Sequence, residues 1–293
     1  MILAASANEA FRLLTECVLD GGIETRPRGG RMTKELLSFG LVIENPRDRL
    51  ITCPPRQPRL DYSVAGLGWN LQERSDAESI CFWNPNGWGF ADRYGKNEEF
   101  HGANYGERIV WQIEKAIQLL KTEPESRRAW VSVWDQHTEV DNGYFFEGKD
   151  VPCTVGFGIR LIQGKLVMQT VMRSQSVVGV FPYDSFLFLT LQELIANELG
   201  VDVGHYIHTC NSAHIYENEL EFAQNIVTWY GEHGDGSTPM DKIEYGLKEA
   251  GVRWWTTQEM LRKGEPFPDG FTPDQFEQLL ISGAENRAKA RAN

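Results

Sequence analysis

A cysteine set directly after a proline, in Val151-Pro152-Cys153-Thr154, opens the stretch that most restricts how this chain folds. Proline cannot donate to a sheet ladder and is confined to a strand's first position or to an edge, so Cys153 stands where a strand leaves a loop. Alternation from Val155 to Leu161, a Gln163-Gly164 turn, and a return from Lys165 through Arg173-Ser174-Gln175-Ser176 predict an antiparallel hairpin. The return strand carries Arg173 back to the end that holds Cys153. A guanidinium beside a thiol favours the thiolate, and its fork also suits phosphate. Pro182-Tyr183-Asp184-Ser185 then leads into the apolar run Phe186 to Leu199, closed by Gly200. That run reads as a helix with Asp184 or Ser185 as N-cap and glycine as C-cap. The stretch ends at His208-Thr209-Cys210-Asn211-Ser212-Ala213-His214-Ile215-Tyr216.

A chain of 293 residues that is 41% hydrophobic has enough apolar material for a full core and stands at the usual upper limit for one compact domain, the organisation expected for residues 1–293. The formal net charge of -12 argues against non-specific binding to nucleic acid, which needs a broad basic surface. Cys17, Cys53, Cys81, Cys153 and Cys210 are odd in number and scattered, so neither a disulfide framework nor a metal site is expected. A reducing cytoplasm, that of the host if the chain is viral, is the expected location. The apolar patch Met1 to Ala5 is too short for a signal segment, and no apolar run approaches the roughly 20 residues of a membrane span.

Elsewhere, Ser6 to Leu19 has helical spacing and stops at Gly21-Gly22. The following loop places Arg26, Arg28 and Arg31 among glycines, as a phosphate clamp or an ordinary solvated turn. Glu35 to Glu44 alternates as a strand, and Asn45-Pro46-Arg47-Asp48 is a turn. Cys81 to His101, rich in Trp, Gly, Asn and Asp, reads as a loop over a pocket, where Trp83, Trp88 and Phe90 offer flat faces or simply fill a core. Ile109 to Leu120 is an amphipathic helix, and Arg127-Arg128 precede a strand over Ala129 to Trp134.

Pro152-Cys153, Arg173-Ser174, Pro182-Tyr183-Asp184 and His214-Ile215-Tyr216, in this order and at these separations, resemble the thymidylate synthase superfamily, most closely its deoxycytidylate and cytidylate hydroxymethylases. The likeness runs from about Thr15 to Tyr230. It implies an α/β (α+β) layered fold, a mixed sheet covered by helices, assembled sheet to sheet as a homodimer. It implies that Cys153 attacks C6 of a pyrimidine nucleoside monophosphate with Tyr105 near the reacting carbon. Arg173 and Ser174 would hold the phosphate, with Gln175 counted among the substrate-binding residues, and His214 and Tyr216 would hold the sugar. Arg28 is the nearest match to the family's loop arginine, with Arg26 and Arg31 left open by spacing. Arg127 and Arg128 would reach the partner's phosphate. The one-carbon donor would be 5,10-methylenetetrahydrofolate, near Trp88, Ser176 and Gly179. Three departures stand out. Aligning Trp69, Leu71 and Asp76 with the family helix places Gly66 where the family has a catalytic glutamate, leaving Asp61 or Glu73 as substitutes. Ser176 stands for a pterin-binding aspartate, and Thr154 for a histidine.

The chemistry accounts for these residue types. C5 of a pyrimidine is a poor nucleophile until a thiolate adds at C6 and makes the ring enamine-like. Synthases acting on uracil carry asparagine where this chain has Asp184. Cytosine offers an amine donor at N4 and an acceptor at N3, and uracil offers the reverse. An ionised carboxylate only accepts, so it suits the amine, and N3 then requires a proton, carried by the ring or by Asp184. The polar stretch Glu285 to Asn293 is unlike the synthases' water-excluding tail and favours a hydroxymethyl product. The expected activity is folate-dependent 5-hydroxymethylation of dCMP or CMP. The alternatives are 5-methylation of dCMP, a dUMP-acting homologue, or a catalytically silent nucleotide binder, the last motivated by Gly66 and Ser176.

Overall fold

In a computed structural model, residues 1–27, 30–91, 98–141 and 143–292 are described, so Arg28 lies outside the described residues. The helices are α1 (Ala7–Gly21), α2 (Leu60–Leu71), α3 (Ala77–Trp83), α4 (Gly106–Thr122), α5 (Tyr144–Glu147), α6 (Phe181–Leu199), α7 (Leu220–His233), α8 (Leu247–Lys263) and α9 (Gln275–Ala292). The strands are β1 (Ile2–Ala4), β2 (Ile23–Thr25), β3 (Thr33–Ile43), β4 (Trp130–Ser132), β5 (Thr154–Ile162), β6 (Lys165–Met172), β7 (Gln175–Ser176) and β8 (Asp202–Tyr216). The chain divides into a sheet-bearing unit, Met1–Pro58, Lys115–Val131 and Cys153–Glu244, and a helical unit, Arg59–Glu114, Ser132–Pro152 and Tyr245–Asn293.

The sheet runs β1-β3-β8-β6-β5-β4, with β2 added to β3 and β7 to β8. Gln163 (φ 51) and Gly164 (φ 76) both take left-handed conformations between β5 and β6, the geometry a two-residue hairpin turn needs. β6 and β8 are parallel, so they require a long crossover, and α6 supplies it. This helix is apolar on nearly all sides because it is buried nearly all round: Phe186, Phe188, Leu189, Leu194 and Ile195 are inaccessible to solvent. Phe188 meets Phe157 of β5 with ring centroids 6.1 Å apart, and Phe181 stacks on Phe11 of α1 at 6.3 Å. Ser6 caps α1 by accepting from the Glu9 amide at 3.1 Å. The mixed sheet covered by helices is the architecture the resemblance implied.

Several boundaries differ from the sequence reading. The return strand ends at Met172, and Gln175–Ser176 forms the separate β7, parallel to β8. α6 begins at Phe181 with Val180 as its N-cap and Pro182 at N2, where a missing N–H is harmless. Asp184 is therefore inside the first turn and does not cap the helix. Gly200 (φ 68) does end it in the left-handed conformation. Cys81 lies in α3, not in a loop, and Trp83 is fully buried core. Arg287 of α9 donates to the Trp83 carbonyl at 2.8 Å and stacks on its ring at 4.7 Å.

In the helical unit α2 packs on α3, α8 and α9. Gly66 and Gly68 both lie within α2, but in different surroundings. A β-carbon at Gly66 would meet nothing within 4 Å, whereas one at Gly68 would lie 3.1 Å from Trp254 and from the backbone of Trp255 in α8. Gly66→Ala is therefore expected to stabilise the protein by up to about 1 kcal/mol through helix propensity. Gly68→Ala is expected to destabilise it by about 1–3 kcal/mol through overpacking. Chemical denaturation of the two variants checks the opposite signs.

Candidate active site

The register of the hairpin positions Cys153. Thr154 pairs with Met172 across β5 and β6, and beyond that pair the Arg173 amide donates to the Cys153 carbonyl at 2.8 Å. The side chains follow the backbone, with Arg173 Nη2 3.8 Å from the half-buried Cys153 Sγ. A fixed guanidinium at this range favours the thiolate over the thiol.

Two residues further along, Gln175 enters β7 opposite Ala213 of β8, and Ser176 stands opposite His214. Gln175 is 1% exposed. Its Nε2 donates to Asp184 Oδ2 at 2.9 Å, so Cys153 and Asp184 share one end of the sheet, joined through Arg173 and Gln175. Asp184 keeps a little accessible surface, but protein surrounds its carboxyl, and burial pushes it up to about 7 against the opposing hydrogen bond from Gln175. A carboxyl poised there can hold or give up a proton near neutrality.

His214, 8% exposed, is held below the usual imidazole range by burial, reinforced by the charge of Arg173 and opposed by Glu35. Glu35 sits directly across from His214 on β3 and accepts from Thr25 Oγ1 at 2.6 Å. Burial would raise the Glu35 carboxyl, but hydrogen bonds from Ser212 and Thr25 and the nearby His214 outweigh it and hold it low. The Tyr216 ring lies edge-on to His214 with centroids 5.1 Å apart, and the guanidinium of Arg31 covers it at 4.6 Å. Arg31 is thus placed at the His-x-Tyr pair. Ser174 is half-buried between Arg173 and Gln175, and Ser176 Oγ accepts from the Gly179 amide at 3.2 Å. A β-carbon at Gly179 would come within 2.7 Å of that hydroxyl, so a larger residue there would displace the Ser176 side chain from this hydrogen bond. Arg127 and Arg128 are exposed just before β4, with Arg128 bonded to Glu123 at 2.5 Å.

Sequence reasoning missed Arg56. It donates to the carbonyls of Val178 and Gly179 at 2.7 Å each and lies 5.2 Å from the Tyr183 ring, bracing the loop that delivers Asp184. An arginine in a proline-rich segment gives no sequence signal for such a contact. A cavity of about 390 Å³ in the same unit, lined by Asp20, Glu24, Lys34, Glu217 and Glu221 among others, is acidic and ill suited to a phosphate.

The helical unit holds the Tyr-Gly pair. Tyr105, 8% exposed, and Gly106 both donate their amides to Asn70 Oδ1 of α2, at 2.8 and 2.9 Å. Asn70 thereby caps the start of α4, and a β-carbon at Gly106 would collide with the Asn70 carbonyl. The preceding turn is clamped by Asp150, which accepts from the amides of His101, Gly102 and Ala103 at 3.1, 2.8 and 3.0 Å. Trp88 is 46% exposed, available to a ligand as Trp83 is not. Neither expected substitute for the glutamate is set up for proton traffic. Asp61 is ion-paired to Arg287 and, at 3.2 Å, to Arg59, and Glu73 is exposed in a left-handed conformation (φ 52) past the end of α2.

The thymidylate synthase family model matches residues 9–232. The “Putative thymidylate synthase” of Methanothermobacter marburgensis is 28% identical over 222 residues, covering 75% of this chain and 94% of that protein. The thymidylate synthase of Listeria innocua is 33% identical over 138 residues, covering 45% of this chain and 42% of its own length. The chain belongs to the thymidylate synthase family, whose members are one-carbon transferases that act on pyrimidine nucleotides with methylenetetrahydrofolate.

Proposed function

We propose that the protein hydroxymethylates C5 of a cytosine nucleoside monophosphate, dCMP or CMP. The observation that carries this reading is the enclosed carboxyl of Asp184, poised near neutrality and held by an amide donor. Cys153 adds to C6 as the thiolate, favoured by Arg173. Asp184 shares one proton with N3 of the ring, which pairs the base and makes C6 more electrophilic. Arg173 and Ser174, with Arg31 or Arg28 from the loop, serve the phosphate, and His214 and Tyr216 the sugar. Methylenetetrahydrofolate, when bound, supplies the carbon. The exposed indole of Trp88 fits a flat pterin. Transfer breaks the carbon's bond to the folate nitrogen and removes the C5 proton, water adds to that carbon to complete the hydroxymethyl group, and Cys153 then leaves C6 as the thiolate, restoring the C5–C6 double bond. The polar stretch Glu285 to Asn293 favours that outcome over the methyl product of a water-excluding site.

Folate-dependent release of tritium from 5-tritiated CMP or dCMP is expected, and Cys153→Ala is expected to abolish it. Release from dUMP alone would overturn the choice of base. Mass analysis separates hydroxymethyl from methyl product, and stoichiometric dihydrofolate would mark the methyl reaction.

The shared proton also sets a pH dependence. Below about 7 the Asp184 carboxyl is neutral and brings the proton with it. Above that value the proton must be taken from solvent. Affinity for the cytosine nucleotide is therefore expected to fall as pH rises from about 7, approaching tenfold per unit, away from the phosphate's own titration near about 6. Asp184→Asn is expected to flatten this profile and to prefer uracil. Calorimetric titration across this range reads both effects.

The family's two-fold assembly suggests that exposed Arg127 and Arg128 complete the partner's site. Mixing inactive Cys153→Ala with an inactive Arg127→Ala/Arg128→Ala variant is then expected to restore activity, up to about a quarter of wild type for random pairing. No recovery in mixtures shown by native mass spectrometry to contain heterodimers would exclude shared sites.

A further inference from the structure

The Asp184 carboxyl is flanked by a second buried polar group whose chemistry is only half used. Gln175 donates from Nε2 to Asp184 Oδ2 at 2.9 Å and, weakly, to the Ser176 carbonyl at 3.5 Å. Its other amide atom, Oε1, is buried and has no hydrogen-bond partner among the described residues. A buried acceptor without a donor costs about 1–3 kcal/mol. The two amide atoms share one carbon, so this acceptor is held next to the group that bonds the carboxyl. Its backbone is fixed by the pairing of Gln175 with Ala213.

We propose that Gln175 is the specificity-determining partner of Asp184: its amide proton keeps Asp184 Oδ2 an acceptor, and Oε1 with Oδ2 forms a two-acceptor fork for the exocyclic amine of cytosine. The proposal rests on the reading that Asp184 faces the base. An aminopyrimidine carries two N–H bonds at its 4-position, and a single carboxylate oxygen satisfies one of them. Gln175 supplies the second acceptor. The same hydrogen bond fixes where the carboxyl's proton resides. With Oδ2 already accepting from Nε2, the proton belongs on Oδ1, which then donates to the ring nitrogen N3. Uracil meets the reverse pattern, with its O4 against two acceptors and its N3–H against a donor. A neutral carboxyl alone could turn either oxygen to either base, so the selection requires the neighbouring amide. β7 continues directly from Arg173 and Ser174, which makes phosphate contact and base reading parts of one short segment.

The test is a double-mutant cycle between protein and ligand. Equilibrium binding is measured for CMP, dCMP, UMP and dUMP, and for the corresponding 2-pyrimidinone nucleotides, which keep N3 and lack the amine. Each is titrated into wild type and Gln175→Met. Removing the amine is expected to cost wild type at least about tenfold more than it costs Gln175→Met, while the variant loses its preference for cytosine over uracil. Equal losses for the amine-bearing and amine-free ligands, or no loss, would overturn the proposal. Gln175→Asn retains the amide but withdraws it by one methylene, and it is expected to give the same loss of coupling if the methionine variant does not fold. Wild type binding cytosine and uracil nucleotides alike would instead refute the base-reading role of Asp184. A wild-type cytosine preference with no coupling at Gln175 would refute this inference alone.

Discussion

The hydrogen bond from the Arg173 amide to the Cys153 carbonyl fixes the geometry on which the site depends. It continues the β5–β6 ladder past its last strand pair and locks the start of one strand to the end of the other. The guanidinium consequently reaches the thiol without a long flexible approach, and Gln175, two residues on, inherits its direction. From Gln175 the order passes to Asp184 by one side-chain contact and to His214 through the pairing of β7 with β8. A single sheet end thus carries a thiol, a cation, a buried carboxyl and an imidazole, all from elements with little freedom to shift independently.

Desolvation gives these groups unlike properties. Asp184 and Glu35 are both carboxyls near this sheet end, yet burial wins at Asp184, whereas hydrogen bonds from Ser212 and Thr25 win at Glu35. One is poised to exchange a proton near neutrality and the other stays charged beside His214. Number and type of donors, more than depth alone, decide between the two outcomes. The helical unit shows the same rule, because Glu139 is fully buried but held ionised by His101 and Arg108.

Local signals in the sequence identified those features whose causes are local. Gln163-Gly164 had to be a turn because both residues take positive φ, and Gly200 had to end α6 for the same reason. The apolar run beginning at Phe186 marked a buried helix, although its start was misplaced because proline at N2 looks like a boundary from sequence alone. Of the expected site residues, Cys153, Arg173, Ser174, Gln175, Ser176, His214 and Tyr216 lie on or next to neighbouring strands, whereas Asp184 lies in α6 and Tyr105 and Trp88 lie in the helical unit. What escaped the sequence reading depends on partners far along the chain. Asp61 meets Arg287, Trp83 disappears beneath the same arginine, and Arg56 braces carbonyls more than a hundred residues later. Asn70 could not be read as the cap of α4 because the fold alone brings α2 to it.

The brevity of β7 limits what this part of the chain can become. Two residues pair with β8, and successive side chains of a strand point to opposite faces. One residue added or lost between Met172 and Gln175 would exchange those faces, turning the amide away from Asp184 and moving Ser176 out of line with His214. New chemistry can arise here by replacement of side chains, but divergence in length has to be absorbed elsewhere, beyond Gly200 or in the loops of the helical unit.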